Sequence, residues 1–368
     1  MLVVTLDGTP LLGTRTGIGR YVHHLVDALP REARDRGLEA KFRVTTWSAR
    51  RRSVLDLPPG VRQVGGPIPA RLLRAAWARF AVPTAEIMGA AGDVVHGTNF
   101  VAPPTRSART VVTVHDLTFL HGSTAPSNVA YRELVPTALR RGAHVVTPSR
   151  AVADAVAEEY GLADERLTVT PLGVDPDWFD AGPAPLAWLR EHGLPQDYIL
   201  YVGSADPRKN VRGLIRAHGE LRAQQPDAPA LVLAGPAGSV ATPAGRQEGV
   251  HRAGYLDNAD LRRLVAGCRV LVLPSFEEGF GLPVLEALAT GRPVVVSDIP
   301  ALREVAGPHA VAAPTGDVTE LAAAIERALG GPDDERHRTA RRSWARQWTW
   351  QACAAATLDV YLKTAGGW

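Results

Sequence analysis

Twelve short runs, most of them rich in β-branched residues, recur along this chain between longer Ala/Leu/Arg segments of helical period. In the first half they are Leu2–Leu6, Phe42–Thr46, Asp93–His96, Thr110–Val114, His144–Thr147 and Leu167–Thr170. In the second half they are Tyr198–Val202, Ala230–Ala234, Val250–Ala253, Arg269–Leu273, Pro293–Ser297 and Ala310–Ala312. A strand with one wet face alternates apolar and polar residues, whereas a continuously apolar strand needs cover on both faces. Parallel strands joined by helical crossovers supply that cover. Two separate series therefore predict two doubly wound α/β domains facing each other across a cleft. The 368 residues agree, being too many for one core at about 100 to 200 residues per domain. The expected division is 1–172, 173–345 and a closing segment 346–368. The hinge falls at Pro171-Leu-Gly-Val-Asp-Pro176, followed by the Pro/Gly stretch Ala181-Gly-Pro-Ala-Pro185.

Composition removes several function classes. With 45% hydrophobic and 21% charged residues the chain is neither disordered nor collagen-like. No run approaches the roughly 18 apolar residues of a membrane span. The opening Met1-Leu-Val-Val-Thr-Leu-Asp7 has no basic region ahead of it, so no signal peptide is expected. Cys268 and Cys353 cannot make a disulfide framework, and a reducing cytosol is the expected setting. The net charge of +3 is no nucleic-acid footprint, so no nucleic-acid partner is expected. Charge is uneven, with 21 basic and 15 acidic residues in 1–172 against 20 and 23 in 173–368. One segment of the basic half, Ala70–Phe80, places Leu73, Trp77 and Phe80 on one helical face with Arg71, Arg74 and Arg79 elsewhere. Such a helix either packs its apolar face on its own domain or lies on an anionic membrane.

Open parallel sheets bind ligands in the loops beyond the carboxyl ends of their strands. After Arg269–Leu273 comes Pro274-Ser-Phe-Glu-Glu-Gly-Phe-Gly-Leu-Pro-Val-Leu-Glu286. Gly279 and Gly281 permit close backbone approach, and Pro283 suits the first turn of a helix. The free N–H groups near Gly281 and Leu282 suit an anion, and Glu278 and Glu286 are able to accept hydrogen bonds from sugar hydroxyls. A plain strand-to-helix turn with a solvated and a capping glutamate is the alternative. After Tyr198–Val202 comes Gly203-Ser-Ala-Asp-Pro-Arg-Lys-Asn210. Only Lys41, Lys209 and Lys363 are lysines among 41 basic residues, and one of them falls here beside Arg208. Basic charge at a helix start opposes the dipole, and a diphosphate would account for it. In the first half, Thr16-Gly-Ile-Gly-Arg-Tyr21 brings Gly17 to a phosphate or an acceptor. His115, before Asp116, stands ready to bond a sugar hydroxyl or to shuttle a proton. His96, with Gly97-Thr-Asn99, ends another strand and is a weaker candidate for the same cleft. No paired-histidine spacing marks a metal site. A nicotinamide oxidoreductase would need a complete glycine fingerprint, which is absent.

Taken together, Gly17-Ile-Gly19, His115-Asp116, Arg208-Lys209-Asn210 and Glu278-x7-Glu286 resemble the retaining, nucleotide-sugar-dependent glycosyltransferases of the GT-B fold. Phe280-Gly-Leu-Pro and Thr113-Val-His-Asp-Leu117 are similar to a branch rich in bacterial mannosyltransferases. The resemblance implies an acceptor-binding Rossmann-like domain at 1–172, a donor-binding one at 173–345, and a last helix within 346–368 that crosses back to the first. It implies that Arg208 and Lys209 bind the donor diphosphate, Glu286 the ribose and Glu278 the transferred sugar. Gly281 and Leu282 would offer N–H groups, Ala253-Gly-Tyr255-Leu256 would flank the base, Gly203 would approach the donor, and His115 would lie near the sugar. Glu277 stands where an aromatic residue is common. The implied reaction moves a hexose, mannose from GDP-mannose first, to a hydroxyl of a glycan, glycolipid or small molecule, without metal or other cofactor. A UDP- or dTDP-sugar donor, or a nucleotide-sugar epimerase of the same fold, is the alternative. The implied location is cytosolic, with peripheral contact at the inner face of the cell membrane.

Overall fold

The computed structural model describes residues 1–13, 17–48, 55–66, 68–121, 126–236 and 248–366, with the side chains of 126–128 left aside. Thr16, in the first glycine loop, lies outside the described residues. The chain divides into two compact units, Met1–Gly173 with Thr349–Trp368, and Val174–Trp348.

The first unit carries a seven-stranded sheet of β1 (Leu2–Asp7), β2 (Ala40–Thr45), β3 (Val61–Val64), β4 (Val94–Gly97), β5 (Arg109–Thr113), β6 (His144–Thr147) and β7 (Leu167–Val169). Their spatial order is β3-β2-β1-β4-β5-β6-β7 and every pairing is parallel. The order reverses between β1 and β4, which makes the gap beyond their carboxyl ends the topological switch point. Its helices are α1 (Gly17–Asp35), α2 (Ala70–Arg79), α3 (Pro126–Arg140) and α4 (Arg150–Tyr160). Val4, Leu6, Val94, Val111, Val112, Val145 and Val146 are buried, as a doubly covered sheet requires. β3 was not among the expected runs. Val61-Arg-Gln-Val64 is an edge strand with Arg62 and Gln63 exposed, so it has no apolar run to detect.

The second unit repeats the architecture with β8 (Tyr198–Val202), β9 (Ala230–Ala234), β10 (Val250–Gly254), β11 (Val270–Leu273), β12 (Val294–Ser297) and β13 (Ala310–Ala313). Its parallel order is β10-β9-β8-β11-β12-β13, with the switch point between β8 and β11. Helices α5 (Leu186–Glu191), α6 (Val211–Gln224), α7 (Asn258–Gly267), α8 (Leu282–Ala289), α9 (Pro300–Ala306), α10 (Val318–Gly330) and α11 (Glu335–Ala345) complete it.

The last helix, α12 (Trp350–Thr364), belongs to the first unit and packs on α1. Thr349 caps it, its hydroxyl accepting from Ala352 N at 3.0 Å. Trp350 stacks on His24 at 4.5 Å between centroids, and Gln351 donates to Glu32 at 2.6 Å. Gly173 makes room for the turn, since a Cβ there would lie 2.1 Å from Trp350 N. Tyr361 is fully buried against His96.

That contact corrects the reading of His96 as a cleft residue. Its Nδ1 bonds the Tyr361 hydroxyl at 2.6 Å, its Nε2 bonds Thr113 Oγ1 at 2.7 Å, and Thr113 Oγ1 bonds Tyr21 OH at 3.0 Å. Burial, with the nearby His115, pushes the His96 pKa down to about 3, so the ring is neutral. It is a structural histidine that ties α1, β4, β5 and α12 together. The Ala70–Phe80 face packs on its own domain, the first of its two readings, with Phe80 the exception. Leu73 and Trp77 are buried in the core beside Trp47, Met88 and Val101, and Trp77 Nε1 donates to Pro83 O at 2.9 Å. The helix ends at Arg79 and Phe80 turns extended (φ −126°, ψ 153°), so Phe80 leaves the face and stays exposed.

Candidate functional site

β8 and β11 are hydrogen-bonded neighbours, so the loops after them emerge side by side although Lys209 and Glu278 are 69 residues apart. The first loop is shaped by its own residues. Asp206 accepts from Arg208 N at 3.1 Å and Pro207 opens a single 3-10 turn, Pro207–Lys209. Asn210 then adopts a left-handed conformation (φ 52°), and its Oδ1 accepts from Gly213 N at 3.2 Å to cap α6. A Cβ on Gly213 would lie 2.4 Å from Asn210 Oδ1, so a larger residue there would displace the cap. Arg208 and Lys209 thus stand on a turn just ahead of the helix. The second loop is tied to the first by Phe276 N donating to Arg208 O at 2.7 Å.

Two of the expected residues converge on the carboxylate of a third. Lys209 Nζ is ion-paired and hydrogen-bonded to Glu278 Oε1, and Arg208 Nη1 lies 3.5 Å from Glu278 Oε2. Ser275 Oγ donates to Glu278 Oε1 at 2.7 Å, and Arg208 Nη1 donates to Glu277 O at 3.1 Å. The Glu278 side chain is only 7% exposed, which decides that this is a buried pair rather than a surface one. Burial pushes its carboxyl pKa up. Lys209 and Arg208, with hydrogen bonds from Lys209 and Ser275, outweigh that and hold it below the ordinary value. The carboxylate stays charged at neutral pH and keeps both cations in place.

Glycines let the strand ends around this cluster come close. Gly203 N donates to Ala234 O at 2.9 Å, and Gly235 N to Gly254 O at 2.7 Å, knitting the ends of β8, β9 and β10. A Cβ on Gly235 (φ 134°) would lie 2.1 Å from Gly203 O. Gly281 (φ 97°) precedes α8, and Pro283 sits in its first turn. Val284 N turns back to Gly281 O at 2.9 Å. Glu286 is one turn along α8 and buried at 3% exposure. At the edge of the sheet, Tyr255 is exposed and Leu256 half-buried beyond β10, the strand farthest from β11 on that side, and neither is among the residues that converge on Glu278.

The remaining candidates lie in the first unit. Gly17 begins α1 with nothing within 4 Å of where a Cβ would stand. His115 is buried just beyond β5, edge-on to Tyr21 and Phe100, with Nε2 2.9 Å from Thr98 O. Burial lowers its pKa, so Nε2–H donates to that carbonyl and Nδ1 is left as the acceptor. Asp116 Oδ1 accepts from Thr118 N at 3.0 Å and Thr118 Oγ1 at 2.6 Å, which folds the loop into an Asx turn. Cys268 and Cys353 are buried free thiols. Among the described residues no three His, Cys, Asp or Glu side chains group as metal ligands, and no helix is long and apolar enough to cross a membrane.

Ser275, Gly235 and the Glu277 carbonyl were not singled out from the sequence. Ser275 lies in the same Pro274–Glu286 string, three residues before Glu278, and its position after a strand is the available signal. Gly235 follows a predicted strand, but its contact with Gly203 depends on strand order. Chemically, the cluster offers an Arg fork and a Lys point charge to a diphosphate, and a carboxylate to hydroxyls.

Residues 196–330 match the family described as "Glycosyl transferases group 1", and residues 15–178 match "Glycosyltransferase Family 4". The chain is 32% identical to O-antigen chain mannosyltransferase B of Escherichia coli over 284 residues, covering 73% of this chain and 74% of that one. It is 33% identical to the MMP alpha-(1->4)-mannosyltransferase of Mycolicibacterium hassiacum over 241 residues, covering 63% and 56%. Among solved structures, a sucrose-phosphate synthase from Thermosynechococcus elongatus superposes with a TM-score of 0.74 at 20% identity, over 99% of each chain.

Proposed function

The chain belongs to the family 4, group 1 glycosyltransferases, with the two Rossmann-like units of the GT-B fold, and we propose that it is a retaining, metal-independent mannosyltransferase using GDP-mannose. The acceptor is a hydroxyl of a glycan, glycolipid or small molecule. One observation carries the site assignment: Arg208, Lys209, Ser275 and Glu278 meet at the switch point of the second sheet, where α/β folds bind their ligands. The mannosyl donor is favoured because the E. coli and M. hassiacum relatives are both mannosyltransferases by name.

When the sugar–phosphate bond breaks, negative charge grows on the leaving diphosphate. Lys209 and Arg208 are already oriented by Glu278, so they stabilise that charge with little reorganisation. The Leu282 N–H, at the start of α8, adds a donor of the same sign. Glu278 accepts from hydroxyls of the transferred sugar, Glu286 holds the ribose, and Gly203, Tyr255 and Leu256 flank the nucleotide. His115 serves the transferred sugar, and Gly17 the phosphate and acceptor. The protein works in the cytosol, where Cys268 and Cys353 remain reduced. Peripheral membrane contact rests on Leu72, Phe80, Val82 and Ile87, all exposed, in a segment that also carries Arg71 and Arg79.

A thermal-shift screen against GDP, UDP, ADP and dTDP tests the donor reading, because a tight ligand raises apparent stability by mass action. GDP is expected to give the largest shift, and release of GDP from GDP-mannose is expected to rise with acceptor. A larger shift with UDP or dTDP would move the assignment to those donors. Turnover of the nucleotide sugar to an isomer without release of the nucleotide would identify an epimerase.

A further inference from the structure

The chain turns sharply where it leaves β4. Gly97 ends the strand with Val101 folded back across it, so that a Cβ there would lie 2.0 Å from Val101 O. Val101 N donates to Asn99 O at 2.7 Å, and Phe100 N donates to Thr113 O, at the end of β5, at 2.9 Å. Phe100 holds φ 60°, and Asn210 is the other non-glycine residue with positive φ among the described ones. Asparagine reaches that region readily, whereas a bulky phenylalanine is strained there. Strain of this kind persists where the surroundings over-determine it, and it gathers at sites that need fixed geometry. Asn210 directly follows Lys209, and Phe100 meets His115 edge to face at 5.5 Å between centroids.

Thr98 sits inside this turn and is fully buried. Its hydroxyl donates to Asp7 O, at the end of β1, at 2.6 Å, and its own carbonyl lies 2.9 Å from His115 Nε2, just beyond β5. One residue therefore braces the ends of β1, β4 and β5, beside the point where the sheet order reverses. A carbonyl can only accept, so Nε2 carries the hydrogen, and a neutral ring then has its acceptor at Nδ1. Nδ1 takes no hydrogen bond from the described residues. Burial keeps the ring neutral against the pull of the Thr98 carbonyl and Asp116. Tyr21 also meets the ring edge to face, at 5.2 Å, and Tyr21 OH is itself tied to Thr113 Oγ1 at 3.0 Å. Turning the imidazole over would bring a carbon to the Thr98 carbonyl and forfeit a buried hydrogen bond.

We propose that Thr98 is a positioning residue: anchored to Asp7 O, it holds His115 as the Nε2–H tautomer, so that Nδ1 accepts from a hydroxyl of the transferred sugar rather than moving a proton. The inference rests on the reading of His115 as a group that serves that sugar, and adds what sets its hydrogen-bonding state. Thr98→Val keeps the volume and removes the hydroxyl, Thr98→Ser keeps the hydroxyl, and Phe100→Leu removes the ring beside His115. Long-range proton–nitrogen NMR on the full chain with labelled histidines reads the tautomer, the His115 signals being assigned with His115→Gln. Wild type and Thr98→Ser should show the Nε2–H tautomer alone, and Thr98→Val and Phe100→Leu should show exchange between tautomers. In GDP release from GDP-mannose, kcat/KM should fall about ten-fold or more in Thr98→Val and recover in Thr98→Ser, while affinity for GDP, which carries no sugar, holds. An Nδ1–H tautomer in wild type, a tautomer still fixed in Thr98→Val, or an unchanged kcat/KM in that variant overturns the proposal. If Thr98→Val fails to fold, the wild-type tautomer and the same two readouts on Phe100→Leu decide. Turnover of a UDP- or dTDP-sugar in place of GDP-mannose would instead overturn the donor reading, and the same variant effects on that sugar would leave this proposal standing.

Discussion

Replacing Lys209 by alanine removes a cation from a carboxylate whose side chain is 7% exposed. Two effects follow, and the structure separates them. In catalysis, a preorganised charge aimed at the leaving diphosphate is lost, which by analogy with oxyanion donors costs about 3 kcal/mol of barrier, or roughly 10²-fold in kcat. In stability, Glu278 loses its nearest partner but keeps Arg208 at 3.5 Å and Ser275 at 2.7 Å. The loss is therefore smaller than for a fully orphaned buried charge, about 2 kcal/mol rather than 3–5. For a unit of the size of Val174–Trp348 that is a fall in Tm of about 4–8 °C. The double variant Lys209→Ala/Glu278→Gln removes the leftover charge, so it should regain much of the stability and none of the activity. GDP release from GDP-mannose, with and without methyl α-D-mannopyranoside as acceptor, gives the rates, and thermal melts give the stability. Near-normal turnover by Lys209→Ala, or recovery of turnover in the double variant, would refute the assignment of Lys209 to the leaving group.

Other outcomes are accessible to the same preparations. Glu278 has a folded pKa below its ordinary 4.5, so its contribution to stability is complete above that value and is lost as pH falls through the folded pKa. Denaturant titrations should show wild type losing more stability than Glu278→Gln below about pH 4.5, and parallel curves would contradict this. His96 is neutral in the fold with its pKa down at about 3, so the unfolded chain binds the extra proton and stability drops as pH falls from about 6.5 toward 3. Tyr361→Phe breaks the bond to His96 and should cost about 1 kcal/mol in melts, since a lone buried acceptor or donor remains. Gly235→Ala forces a Cβ to 2.1 Å from Gly203 O at φ 134°, and should reduce both stability and GDP affinity in calorimetry. Liposome co-sedimentation with anionic vesicles should be weakened by Phe80→Glu with Leu72→Glu, and equal binding by this variant would remove the membrane contact.

Most strands were legible because a doubly covered parallel strand is largely apolar, as Tyr198–Val202 and Ala230–Ala234 are. β3 was not, since an edge strand can leave Arg62 and Gln63 in water. The candidate site was legible as residue types in loops, but not as a cluster. Lys209 meets Glu278 only because β8 lies beside β11, a fact of strand order that no local pattern carries. For the same reason His96 looked like a loop-end ligand until α12 brought Tyr361 to its Nδ1. The Ala70–Phe80 face misled through its last residue: helical periodicity places Phe80 with Leu73 and Trp77, yet the helix stops at Arg79.

Calorimetric titration of GDP and of guanosine into wild type and Lys209→Ala puts the diphosphate assignment to the most direct test. Wild type should bind GDP at least about 100-fold more tightly than guanosine, a difference of roughly 2.7 kcal/mol that charge-assisted contacts to Arg208 and Lys209 supply. In the variant that gap should shrink about ten-fold or more while guanosine affinity holds. Equal GDP affinity in the two proteins would show that Lys209 does not hold the diphosphate.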